Sequence, residues 1–271
     1  MAGVMRETLM VTTSDGVKVA VHRHGDGPPL YVIHGGPGST HQGFVPYMDA
    51  IGAYRQLYLF DQRGCGDSED APEKTYTMER LADDIEDVRT NLGHGKVAVM
   101  GHSLGGVVAM TYSLRWWRNL EALIVMDSPV RGWRGVVTSP SGWLTWLRAL
   151  LLLRGAEGEM RFHLKYELGN KQKADELRRR FSRPRRFDPA RVRRLNIDAF
   201  RPSDLRPVIE AGVPVLGIYG RHDRRFLADA RHLRSIGARV EIVEGAGHWP
   251  PLEQPVEFHR ILSDFLQGRS R

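Results

Sequence analysis

The sequence predicts an α/β fold, a doubly wound and mainly parallel sheet with helices on both faces. Three observations carry this expectation. Short apolar runs bounded by turn residues recur along the chain, with helical stretches between them. Those runs are continuously apolar rather than alternating, as strands buried on both faces require. One stretch, residues 129–212, breaks the rhythm: it has high helical character and no convincing buried strand.

The elements follow in order. Glu7–Thr12 and Val17–His22, joined across Ser14-Asp15-Gly16, read as an antiparallel hairpin. Leu30–Ile33, Gln56–Phe60, Val97–Met100, Leu123–Met126, Val215–Tyr219 and Val240–Val243 are the buried strands. Between Thr77 and Leu92, Met78, Leu81, Ile85, Val88 and Leu92 recur at spacings of three and four, and Gly93 follows as a stop, so a helix is expected there. Leu104–Trp117 forms a second helix and Val256–Leu266, after the breaker Pro255, a third. Residues 129–212 then form a helical insertion after the sixth strand. Placed there it lies over the carboxyl edge of the sheet, where ligands bind in such folds, and acts as a lid. The expected division is a core of residues 1–128 and 213–271 with a cap of residues 129–212.

At 271 residues and 41% hydrophobic content the chain can bury one large core. The start has no apolar run of signal-peptide length, and the longest strongly apolar stretch, Trp143–Leu153, is too short to span a bilayer. Cys65 is the single cysteine, which excludes an internal disulfide. A soluble, cytoplasmic protein without a membrane span is the expectation. The net charge of +7 is uneven: residues 148–206 hold 17 Lys/Arg against 8 Asp/Glu, and the rest of the chain is close to neutral. No nucleic-acid-binding motif accompanies that surplus, so it reads as a solvated helical surface rather than a nucleic-acid site.

The chemistry centres on Gly101-His102-Ser103-Leu104-Gly105-Gly106, with a strand before it and a helix after it. This is the Gly-x-Ser-x-Gly arrangement in which a tight, strained turn projects a serine hydroxyl above the sheet. Side chains at 101 or 105 would collide with neighbouring backbone. The alternative is a serine that merely caps the helix, which needs no such glycines. A serine hydroxyl is a poor nucleophile until a base accepts its proton. Of eleven histidines, His248 stands out, on a glycine-rich loop after the last strand and before the last helix. Asp223, just past Val215–Tyr219, would hold the other ring nitrogen, and Asp127, past Leu123–Met126, is its rival. The order Ser103…Asp223…His248 fits the architecture. Acyl transfer also builds a negative oxygen, and two aimed N–H groups stabilise it, each worth about 3 kcal/mol. The Leu104 N–H is one. The loop His34-Gly35-Gly36-Pro37-Gly38 supplies the second, at Gly36, with His34 shaping the loop by hydrogen bonding.

These residues resemble the α/β-hydrolase superfamily over nearly the whole chain. In two places they resemble its proline iminopeptidase-like branch: HGGPG at 34–38, and DQRGCGDS at 61–68 as the turn after the fourth strand. The second motif reads as structural, with Asp61 and Arg63 tying down a loop. The resemblance implies the α/β-hydrolase fold and a serine hydrolase of an ester, lactone or amide in a small-molecule or short-peptide substrate, with no metal or organic cofactor. Epoxide hydrolases and haloalkane dehalogenases share the scaffold but need a carboxylate where Ser103 stands. A non-hydrolytic ligand-binding member is the remaining class. The chain departs from the iminopeptidases at Leu104, where they tend to have tryptophan, and GHS-x-GG is common in esterases. Iminopeptidases also hold the substrate ammonium with cap carboxylates; Glu157, Glu159 and Glu167 are candidates, in a cap that is basic overall. His34, His102, Trp143, Trp146 and Trp249 are the candidate substrate-binding residues.

Overall fold

Eight strands form one sheet in the order β1-β2-β4-β3-β5-β6-β7-β8. They are β1 (Glu7–Thr12), β2 (Lys18–His24), β3 (Pro29–Ile33), β4 (Gln56–Asp61), β5 (Val97–His102), β6 (Leu120–Met126), β7 (Val215–Gly220) and β8 (Arg239–Val243). The computed structural model describes residues 7–36, 39–132, 168–181 and 203–268. The β1–β2 and β2–β4 pairs are antiparallel, and the five pairs from β4–β3 to β7–β8 are parallel. The eight expected strands are therefore all present, the hairpin included. Most of the cap expected at 129–212 lies outside the described residues.

Alternation along the strands divides the core into two layers. Tyr31, Ile33, Val99, Leu123 and Val125 face one side and pack with α1 (Met78–Asn91), α2 (Leu104–Trp116) and, after α3 (Ala174–Phe181) and α4 (Arg206–Glu210), with α5 (Leu227–Ser235). Leu30, Val32, Met100, Ile124 and Ile218 face the other, against Phe44, Met48 and Ile51 and, following the short α6 (Pro250–Glu253), against α7 (Pro255–Leu266). Thr77 caps α1 by accepting the Arg80 N–H, and the chain leaves that helix through Gly93 at φ +68°. No helix among the described residues is long and apolar enough to cross a membrane.

The turn after β4 acts as a structural knot. Arg63, 1% exposed, forks onto Asp84 of α1 through Nε and Nη2 (2.7 and 2.6 Å) and onto Asp15 of the hairpin through Nη1 and Nη2 (2.8 and 3.0 Å). Gly66, at φ +51°, is required because a Cβ there would lie 2.1 Å from Asp61 Oδ2. Removing the guanidinium takes from the buried Asp84 carboxylate its two shortest bonds and leaves it only Arg80, at 3.1 and 3.3 Å, while the exposed Asp15 turns to solvent. Arg63→Met is therefore expected to cost about 3–5 kcal/mol of stability, read from the urea midpoint.

Candidate active site

Ser103 stands between β5 and α2 at φ 54°, ψ −120°, a region that L-residues rarely occupy. Its hydroxyl makes no capping bond to α2, which removes the helix-cap alternative. The strain is held in place by neighbours: the Ser103 N–H donates to Met126 O at 2.9 Å, and Ser128 Oγ donates to Ser103 O at 2.7 Å. Glycine is demanded on both sides. A Cβ on Gly101 would lie 2.1 Å from Gly105 O, and one on Gly105 would lie 2.3 Å from Ile33 O.

His248 and Asp223 come together from the loops after β8 and β7, with Nδ1 of the imidazole 2.5 Å from Asp223 Oδ2. Both are buried. His102, next to Ser103, docks on the loop that carries His248: its Nε2 lies 2.8 Å from His248 O, and the two ring centroids are 4.6 Å apart. Burial alone would raise the Asp223 carboxyl, but the Arg225 guanidinium, forked onto it at 2.9 and 3.1 Å, and His248 outweigh burial and hold it below the usual range. Asp127 is the opposite case. It is fully buried at φ 42°, its Oδ1 accepts the Gly220 N–H at 3.0 Å, and its Oδ2 has no hydrogen-bond partner among the described residues. Burial first, and then the Asp223 charge, push its carboxyl well above the usual range. The two acids past β6 and β7 thus carry opposite protonation tendencies.

The loop after β3 lies on Ser103: a Cβ on Gly35 would be 2.9 Å from Ser103 Cβ, and Gly36 takes φ 125°. His34 is buried and braces this loop, its Nε2 accepting the Gln62 N–H at 3.1 Å and its Nδ1 lying 2.7 Å from Gly35 O. Leu104 opens α2, where backbone N–H groups lack intrahelical acceptors. Of the residues expected to bind substrate, His34 and His102 are engaged in holding the loops around Ser103. Trp249 is buried against His102, with ring centroids 4.3 Å apart, and joins Leu168, Leu177 and Leu252 in an apolar cluster. Trp143, Trp146, Glu157, Glu159 and Glu167 lie outside the described residues, as does Pro37.

Among the described residues, two groups of side chains bring three potential metal-ligand atoms within 4.8 Å of one another, Asp127 with Asp223 and His248, and His22 with His41 and Asp61. In the second group, Asp61 faces His22 Nε2, His41 Nδ1 and the N–H groups of His41 and Asp67, all at 2.8–3.0 Å. Four partners fill the lone pairs of that carboxylate. The two imidazoles stack with centroids 3.5 Å apart. That arrangement fits a structural knot within the DQRGCGDS turn better than a ligand set. Sequence reasoning missed Arg225, Asp229 and Glu253. Asp229 accepts the N–H groups of Val130 and Arg131 at 2.9 and 2.7 Å, just after β6, and burial pushes its carboxyl up to about 6.

Comparison with known proteins agrees with this architecture. The model of a family described as "Alpha/beta hydrolase family" matches residues 30–261. The chain belongs to the alpha/beta hydrolase family. It is a hydrolase, with proline iminopeptidases among its relatives. It is 35% identical to a proline iminopeptidase of Saccharolobus solfataricus over 98 residues, which are 35% of this chain and 32% of that protein. That match therefore spans about a third of the relative. It is 29% identical, over 96% of this chain and 98% of the other, to a putative 2-succinyl-6-hydroxy-2,4-cyclohexadiene-1-carboxylate synthase of Bacillus subtilis. A thermophilic esterase of Thermogutta terrifontis superposes with a TM-score of 0.75 at 21% identity, over 98% of this chain and all of that one, a likeness of fold.

Proposed function

We propose that this hydrolase cleaves an ester, lactone or amide bond of a small molecule through an acyl-enzyme. The observation that carries the reading is the buried Asp223–His248 pair at 2.5 Å, on a loop docked against the residue preceding a strained Ser103. In this scheme Ser103 Oγ attacks the acyl carbon as His248 takes its proton. Asp223 keeps Nδ1–H of the ring oriented and balances the imidazolium. The N–H groups of Gly36 and Leu104 receive the negative oxygen. His248 returns the proton to the leaving group, and water, deprotonated by the same ring, releases the acyl group.

An iminopeptidase is the second reading, supported by HGGPG, DQRGCGDS and the relatives bearing that name. It needs a carboxylate for the substrate ammonium. Glu176, an acid of the insertion, is already engaged with Lys173 at 3.1 Å and with the Tyr47 hydroxyl. The insertion is also basic overall. Side-by-side assay of short-chain nitrophenyl esters and proline arylamides decides between them. The esters are expected to show the higher kcat/KM, and preference for the arylamide would reverse the assignment. A fluorophosphonate should label Ser103 stoichiometrically; a chain that binds ligand and returns it intact, unlabelled, would be a receptor.

A further inference from the structure

We propose that Glu253 is a positioning residue that sets His248 and seats the insertion at Gly169–Asn170 through one carboxylate. This role rests on the reading of His248 as the base. Glu253, 3% exposed, ends α6 and turns its side chain back under the loop that carries His248. Its Oε1 accepts the N–H groups of Gly247 and Trp249, at 2.9 and 3.1 Å, the two residues on either side of His248. Its Oε2 accepts the Asn170 N–H at 2.7 Å, and the Gly169 peptide also bonds this carboxylate. Burial raises the carboxyl, and the four peptide dipoles act against it. Charge-assisted bonds of this kind are short and strong.

The same two segments touch directly. A Cβ on Gly169 would lie 2.8 Å from both Ala246 C and Gly247 N, and 2.9 Å from His222 Cδ2. Leu168 and Leu177 of the insertion share an apolar cluster with Trp249 and Leu252. The His222 N–H also donates to Ala246 O at 2.9 Å, which ties the base loop to the acid loop. Glu253 thus sits where the insertion, the base loop and the acid loop meet. Seating the insertion and fixing the imidazole become one event.

The test follows from the chemistry of an amide. Glu253→Gln fits the same space but has a single acceptor oxygen, so its NH2 must face either the 247/249 peptides or the 169/170 peptides, donor against donor. Either the base loop or the insertion is released. With p-nitrophenyl acetate, kcat is expected to fall by about 100-fold, the effect of misplacing a catalytic group by roughly 1 Å, with KM within about threefold. Gly169→Ala leaves Glu253 in place and wedges the two segments apart, so it should lower kcat too, and it carries the test should Glu253→Gln not fold. The double variant should lose less than the product of the single effects, because both break one link. Unchanged kcat in the single variants, or multiplying effects in the double variant, overturns the role of Glu253. Wild-type labelling of Ser103 by a fluorophosphonate, lost in His248→Ala, is measured alongside. No wild-type labelling overturns the triad and the Glu253 role together; normal labelling with an unaffected Glu253→Gln overturns the second alone.

Discussion

Ser103→Ala is expected to lower turnover of any accepted ester by roughly four to six orders of magnitude while leaving the fold intact. In the proposed scheme the size of the effect comes from the acyl-enzyme: without Oγ there is no covalent step, and only binding and the proposed oxyanion N–H groups remain to act on water. The fold should tolerate the change because the hydroxyl makes no capping bond, and the turn is held by backbone contacts, Ser103 N–H to Met126 O and Ser128 Oγ to Ser103 O. Alanine keeps the same Cβ, and so the same strain at φ 54°. Residual hydrolysis measured under single-turnover conditions, with loss of fluorophosphonate labelling, checks the expectation. Activity within tenfold of wild type in Ser103→Ala would mean that Ser103 is not the nucleophile and that the turn serves another purpose.

Much of this was legible in the sequence because strands buried on both faces must be continuously apolar, and each such run became a strand at or near its expected bounds. The loops were legible for a related reason. Glycines at 101 and 105 mark places where a Cβ would strike backbone, a constraint that composition exposes directly. Helix α5 was harder to see: its buried side chains are Ala228, Asp229, Ala230 and Leu233, too little apolar contrast for a periodic signal. Asp229 and Glu253 are invisible for a different reason. Their partners are peptide N–H groups of distant loops, and a sequence does not show which backbone dipoles a fold will point at one carboxylate. Arg225 lies only two residues from Asp223, yet its fork depends on the local turn.

The two acids past β6 and β7 give the second large effect, and it is a contrast. Asp223→Asn is expected to lower kcat by about 10⁴-fold. An amide cannot serve both neighbours as the carboxylate does: if its oxygen accepts from Arg225, its N–H faces His248 Nδ1 and selects the wrong tautomer. Asp127→Asn should change kcat by less than about threefold, because that carboxyl is already driven toward its neutral form by burial and by the Asp223 charge, and an amide oxygen can still accept the Gly220 N–H. Its signature lies in stability. The unfolded carboxyl loses its proton near about pH 3.9, whereas the folded one keeps it to higher pH. Between those two values the native state binds more protons, so the contribution of this group is fully present below the unfolded value and is lost as pH rises through the folded one. Asp127→Asn removes that decline. Urea unfolding from about pH 4 to about pH 8 should therefore show the variant losing less stability than wild type. A severe loss of kcat in Asp127→Asn with a near-silent Asp223→Asn would transfer the role of the acid to Asp127, and with it the orientation of His248.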